Sequence, residues 1–228
     1  MVSMTTPPAT ARITRKRERT RGELVAAAER LVALHGLDAV SIDDITHEAD
    51  VAKGTFYTHF EDKDDLAAAI GARIRDELEA AIDATNAAVT DPALRMANGL
   101  STVLAYAMAH PVSARALLKL RPGAIDPDAA INTGIRNDVV MGVKAKRFWA
   151  ASPGAAVVTI MGAAMSAMMR LSDAAHRMSD PAGFAADVIA TCLVALGVKP
   201  AEATRMAASA ISERKKDQLI PQGKERRP

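Results

Sequence analysis

Helix-start signals recur along this chain at intervals that leave room for little besides helices. Ser41 with Asp44, and Asp62 with Asp65, each set an acceptor before a first turn and a carboxylate three residues on. That pattern satisfies the orphan backbone N–H groups of a helix start. Thr20 with Glu23 has the same form and predicts a first helix from Thr20, with Leu24, Ala27, Ala28, Leu31 and Leu34 on one apolar face at helical spacing. Asp91-Pro92, Ser152-Pro153 and Asp180-Pro181 put a cap residue before a proline, whose fixed φ suits the first helical position. Gly36 ends the first helix, Pro111 stops the one from Pro92, and Gly197 with Pro200 ends the one from Pro181. No run alternates apolar and polar residues for long enough to make a half-buried strand. The expected fold class is all-α, with nine or ten helices, the first three short and the rest longer and more apolar.

Composition agrees. Alanine and methionine are abundant and aromatic residues make up only 3%, a bias toward helix over sheet. A 49% hydrophobic and 25% charged chain is ordinary for a globular protein. The single cysteine, Cys192, excludes an intramolecular disulfide. The first thirty residues lack the apolar core of a signal peptide, and the apolar stretch from Ala155 to Met169 is closed by Arg170. A cytoplasmic protein without a membrane span is therefore expected.

Charge is uneven. Arg12, Arg15, Lys16, Arg17, Arg19 and Arg21 face only Glu18 in residues 1–21, and the end of the chain is also rich in Lys and Arg. Such ends are commonly solvated tails, and less often arms that lie along nucleic acid.

Three of the seven aromatics fall in "ADVAKGTFYTHF", residues 49–60. The spacing predicts a helix from Ile42 to about Ala49, a tight turn, and a helix from Lys53 to about His59. Val40 and Ile45 flank the first cap as a hydrophobic staple. Phe56 and Phe60, four apart, share one face with Ile42, Ile45, Ala49 and Val51. Lys53, Thr55, Tyr57, Thr58 and His59 then point elsewhere. This is helix-turn-helix geometry, in which the second helix offers its N-terminal residues to base edges of a major groove.

The stretch "SIDDITHEADVAKGTFYTHFEDKDDL", Ser41 to Leu66, resembles the DNA-binding signature of the TetR family of bacterial transcriptional regulators. The resemblance covers residues 20–66. It implies that Lys53, Thr55 and Thr58 approach base edges, with Gly54 letting the backbone come close. Ser41, Tyr57, His59 and Lys63 would contact phosphates, and Arg21 would add to the DNA-binding set. Two departures stand out. Asp50 occupies a turn position where glycine is common in the family, and Ala52 removes the usual hydroxyl before the recognition helix. From Gly22 to Leu66 the only cations besides histidine are Arg30, Lys53 and Lys63, amid many acids. The arm from Arg12 to Arg21 is therefore expected to supply electrostatic attraction, with entry into a minor groove as one route.

The expected organisation is a flexible basic arm at 1–19, a three-helix DNA-binding domain at 20–66, a helical bundle of six or seven helices at 67–212, and a charged disordered tail at 213–228. Small residues Gly162, Ala163 and Ser166, and apolar Phe184, Val188 and Cys192, read as intrachain core by composition. The resemblance instead places these two helices in a dimer interface. It also implies double-stranded operator DNA as partner, a palindromic site, repression, and an inducer pocket in the middle helices. Tyr106, Met108, His110, Leu118, Phe148, Trp149 and Met165 are the candidate lining residues, each of which also reads as ordinary core. The scarcity of aromatics suggests a mostly apolar ligand.

Catalysis is disfavoured. The five histidines show no pair at helical ligand spacing, and neither a nucleophile elbow nor a phosphate loop occurs. No cofactor or metal is expected. The remaining rival is a helical interaction or small-molecule-binding protein without sequence-specific DNA binding.

Overall fold

The computed structural model describes residues 9–120, 132–174 and 178–219, and among these every regular element is a helix. In order they are α1 (Ala9–His35), α2 (Ile42–Glu48), α3 (Lys53–Phe56), α4 (Lys63–Asn86), α5 (Pro92–Ala109), α6 (Pro111–Leu120), α7 (Thr133–Lys144), α8 (Pro153–Ala174), α9 (Pro181–Ala195) and α10 (Pro200–Leu219). The all-α expectation holds.

Most boundaries fall where local chemistry puts them. The Ser41 hydroxyl accepts the Asp44 N–H at 3.1 Å while the Asp44 carboxylate accepts the Ser41 N–H at 2.9 Å, a complete capping box. Asp62, Asp91, Ser152 and Asp180 accept from backbone N–H groups of α4, α5, α8 and α9 respectively. Gly36 takes φ 83, and its N–H closes onto the Val32 carbonyl at 2.9 Å.

Four expectations are corrected. α1 does not start at Thr20. It starts at Ala9, so Thr20 is mid-helix and the stretch expected as an arm is helical from Ala9 onward. The buried face of α1 uses Leu24, Val25, Ala28 and Val32, whereas Leu34 is 64% exposed. The recognition helix is shorter than expected, and Tyr57 to His59 form a hydrogen-bonded turn rather than its last turn. Finally, Pro200 opens a further helix, α10, that runs to Leu219 through the start of the expected charged tail. The expected loop at 121–128 lies outside the described residues, as do residues 1–8.

Two hydrophobic cores result. One joins Leu24, Val32, Ile45, Phe56, Phe60, Leu66, Ile70 and Ile74 from α1 to α4. The other gathers α5, α8, α9 and α10 around Leu104, Ile160, Leu171, Ile189 and Leu193. Helix α6 serves both: Ala114 lies in the second core, Ala116 and Leu120 in the first. By length and composition α8 could cross a membrane, its span Pro153–Asp173 averaging a hydropathy of 1.5, contrary to the expectation that Arg170 closes it too early. Here it packs against α5, α6, α7 and α9.

Candidate nucleic-acid interface

The short helix α3 is held from beneath by its aromatics. Phe56 is fully buried, its ring centroid 5.8 Å from that of Phe60 and 5.4 Å from that of Tyr57, the latter edge-on. Tyr57 itself is 55% exposed, so the two phenylalanines wedge the helix in place and the tyrosine faces outward. The turn before α3 depends on Asp50, which takes φ 53, and on the Val51 N–H reaching the Thr46 carbonyl at 3.0 Å. Aspartate tolerates this left-handed conformation better than most residues. Ala52 makes no side-chain cap, and the Thr55 N–H bonds the Ala52 carbonyl at 2.8 Å as α3 begins.

Lys53, Gly54 and Thr58 are exposed alongside Tyr57, and Thr55 and His59 are half-buried. Ser41 is exposed at the neighbouring helix start. Lys63 is half-buried, and its ammonium donates to the Val40 carbonyl at 2.9 Å. That bond fastens α4 to the segment leading into α2. Lys53 is not idle either: its ammonium pairs with Asp43 at 2.8 Å. The pair holds the Lys53 pKa above its ordinary value, chiefly through the hydrogen bond to Asp43.

The basic end of α1 reaches the same surface. Arg17 donates to the Thr58 carbonyl at 3.4 Å, and the Arg21 guanidinium lies 4.9 Å above the Phe60 ring, a cation–π contact. Partial burial, then the charges of Arg17 and Arg21, push the His59 imidazole below its ordinary pKa.

Sequence reasoning missed the junction between the two cores. Glu29 of α1 is only 7% exposed and accepts from Arg73 of α4 and Ser113 of α6. Lys119 of α6 donates to the carbonyls of Ala33 and Leu34 at 3.0 and 2.9 Å, capping the last turn of α1. A signal for Glu29 was present, since it shares a helical face with Val25, Val32 and Ala33. An acid on an apolar face implies a buried partner. Nothing local foretold Lys119.

The candidate inducer residues scatter. Tyr106 packs on the N-terminal core, its hydroxyl donating to Glu77 at 3.1 Å, and burial raises its pKa to about 12. Its ring lies 4.8 Å from that of His110, which is exposed. Phe148 is buried in the C-terminal core, against which Met108 and Leu118 pack, and Met165 is half-buried on α8. Trp149 is 70% exposed, which corrects its expected place inside a pocket. Of the expected dimer residues, Cys192 is also corrected. It is 3% exposed within the single chain and belongs to the C-terminal core, where burial raises its thiol to about 11. Gly162, Ala163, Phe184 and Val188 are half-buried and Ser166 is exposed.

A capped helix, a left-handed turn and a short second helix wedged by aromatics, joined to an all-helical bundle, define a helix-turn-helix DNA-binding regulator. Residues 24–70 match the family model for "Bacterial regulatory proteins, tetR family", so the segment that builds α1 to α4 is similar to the N-terminal domain of that family. Solved structures agree over most of the length. RolR in complex with the ligand resorcinol is 25% identical, with TM-score 0.55 over 86% of this chain and 96% of that one. A γ-butyrolactone receptor, an ArpA-like protein, is 18% identical with TM-score 0.64 over 87% and 99%. A bacterial regulatory protein of the tetR family from Rhodococcus RHA1 is 23% identical with TM-score 0.63 over 79% and 98%. No curated protein matches the chain in sequence.

Proposed function

We propose that this protein is a cytoplasmic transcriptional repressor that binds a palindromic operator as a homodimer and releases it when a small, mostly apolar inducer binds. The observation that carries the reading is the exposed set of Lys53, Tyr57 and Thr58, on a short helix and the turn that follows it, wedged from below by buried Phe56 and Phe60. Lys53 and Thr58 read base edges with half-buried Thr55. Ser41, Tyr57 and His59 meet phosphates, which set register without carrying sequence information. A gel shift with the DNA upstream of the protein's own gene tests this. Lys53→Ala is expected to weaken operator binding by about 5- to 150-fold, as loss of one base contact does. Equal affinity of wild type and variant for the operator would reject the assignment.

A helix pair supports the dimer. The exposed residues Val158, Ser166 and Met169 on α8, and Val194 on α9, flank the half-buried Gly162, Ala163, Phe184 and Val188. Small residues at helical spacing let a second copy approach closely, and a two-fold operator requires two copies. Sedimentation at micromolar concentration should give twice the monomer mass; a monomer would rule the arrangement out.

For the inducer, the likeness to resorcinol-bound RolR supports a small-molecule response. The ligand would favour a conformation whose recognition helices are wrongly spaced for DNA. Two routes lead from the C-terminal core to α3. One is α4, through Lys63; the other is α6, which grips α1 through Ser113–Glu29 and Lys119.

A further inference from the structure

We infer that the N-terminal turns of α1 form a second, sequence-independent DNA contact that lies along the phosphate backbone flanking the operator. The inference rests on the DNA-binding reading above. Side chains from Thr14 to Arg19, and from Arg21 to Glu23, are exposed on every face of the helix. A helix polar all round needs either abundant ion pairs or a partner. This one has a single ion pair along that stretch among the described residues, Arg19 with Glu23 at 3.3 Å. Arg15 and Arg19, and Arg17 and Arg21, are like charges four residues apart, a destabilising arrangement. Arg15, Lys16, Arg17, Arg19 and Arg21 also crowd within seven residues, and the first turn holds no acid to complement the helix dipole. By itself the segment is electrostatically unfavourable, and a polyanion relieves both repulsions.

Its position selects the polyanion. Arg17 reaches the Thr58 carbonyl and Arg21 sits over Phe60, so the basic turns emerge at the end of the recognition helix. Shape selects the mode of contact. An α-helix with side chains is about 10–12 Å across, and the minor groove is about 6 Å wide. The helical segment cannot enter that groove as an extended arm would, and it rests on phosphates instead. From Ala9 to Arg19 the helix extends about 16 Å, or about five base pairs along the duplex.

The test uses a duplex recovered by selection from random DNA, prepared both trimmed to its protected core and lengthened by about ten unrelated base pairs on each side. Wild type should bind the long duplex at least about tenfold more tightly at low salt. The R15Q/K16Q/R19Q variant should lose that gain yet bind the short duplex within about threefold of wild type. Its salt slope on the long duplex should fall by about 2–3, at about 0.9 per phosphate contact. R15K/K16R/R19K, which keeps the charges, should restore the gain. Flanks that make no difference to wild type would overturn the inference, as would equal losses on both duplexes. Preference for the selected sequence without a flank effect rejects this contact alone. Failure to prefer any sequence rejects the DNA-binding reading as well.

Discussion

Phe56→Ala is expected to destabilise the N-terminal domain by about 3–5 kcal/mol, the range for removing a fully buried aromatic and leaving a cavity. Phe56 is 0% exposed and packs in one cluster with Leu24, Ile45, Phe60, Leu66 and Ile70. The helix it anchors spans only Lys53–Phe56, too short to persist without tertiary packing. Its loss therefore removes the recognition surface as well as stability. The C-terminal core contains no residue from α1 to α4 and should keep its structure. Hydrogen exchange would show this directly: amides of α2 and α3 should lose protection while those of α8 and α9 retain it. Tyr57→Ala provides the contrast, since that ring is more than half exposed. It should shift stability little and weaken DNA binding more. If Phe56→Ala unfolds within about 1 kcal/mol of wild type, α3 is not held by the aromatic wedge.

The second large effect is expected at Arg147, in the bend after α7. Its guanidinium bonds Asp91, the cap of α5, at 3.0 and 3.2 Å, and Glu202 of α10 at 2.6 and 3.2 Å. One side chain thus ties together the start of α5, the end of α7 and the first turn of α10. Burial alone would raise the Asp91 pKa, but hydrogen bonds from Arg147 and the Ala93 N–H, with the Arg147 charge, leave it below the ordinary value. The hydrogen bond from Arg147 likewise lowers Glu202. Carboxylates with lowered folded-state values stabilise the fold above their unfolded range, near pH 4. That contribution disappears as pH falls through the folded-state values. Arg147→Met should therefore reduce stability by about 1–2 kcal/mol at neutral pH, between the worth of exposed and buried pairs. The corresponding drop in Tm is about 2–8 °C. The gap between wild type and variant should close as the pH falls below the ordinary carboxylate range, near 4. A gap that stays constant from pH 7 to pH 2.5 would show that Arg147 acts through packing and not through its charge.

Much of the local geometry around α3 was legible in the sequence alone. Ser41 with Asp44 and Asp62 with Asp65 mark helix starts through hydrogen bonds that close within three residues. Phe56 and Phe60 identify the buried side of α3 by their spacing alone, and Asp50, at the turn position where glycine is common in the family, takes φ 53. The same local rules misplaced the start of α1. A capping box at Thr20 competes with simple continuation of the helix, and the helix continues back to Ala9. Leu34 shows a related failure. It has the right period for the buried face, but the packing of α2 and α6 against α1 selects Val32 instead.

What the amino-acid order determined by itself was the all-helical class, most helix boundaries and the two faces of the recognition helix. Each depends on groups a few residues apart, whose geometry the backbone period dictates. Only the tertiary structure decided that Lys63 fastens α4 to Val40, that Lys119 caps α1, and that Glu29 joins three helices across two cores. It also decided that Cys192 is core and Trp149 surface. Those outcomes depend on partners from 23 to 86 residues away in the chain. Their meeting is set by how whole helices pack, which no local pattern encodes.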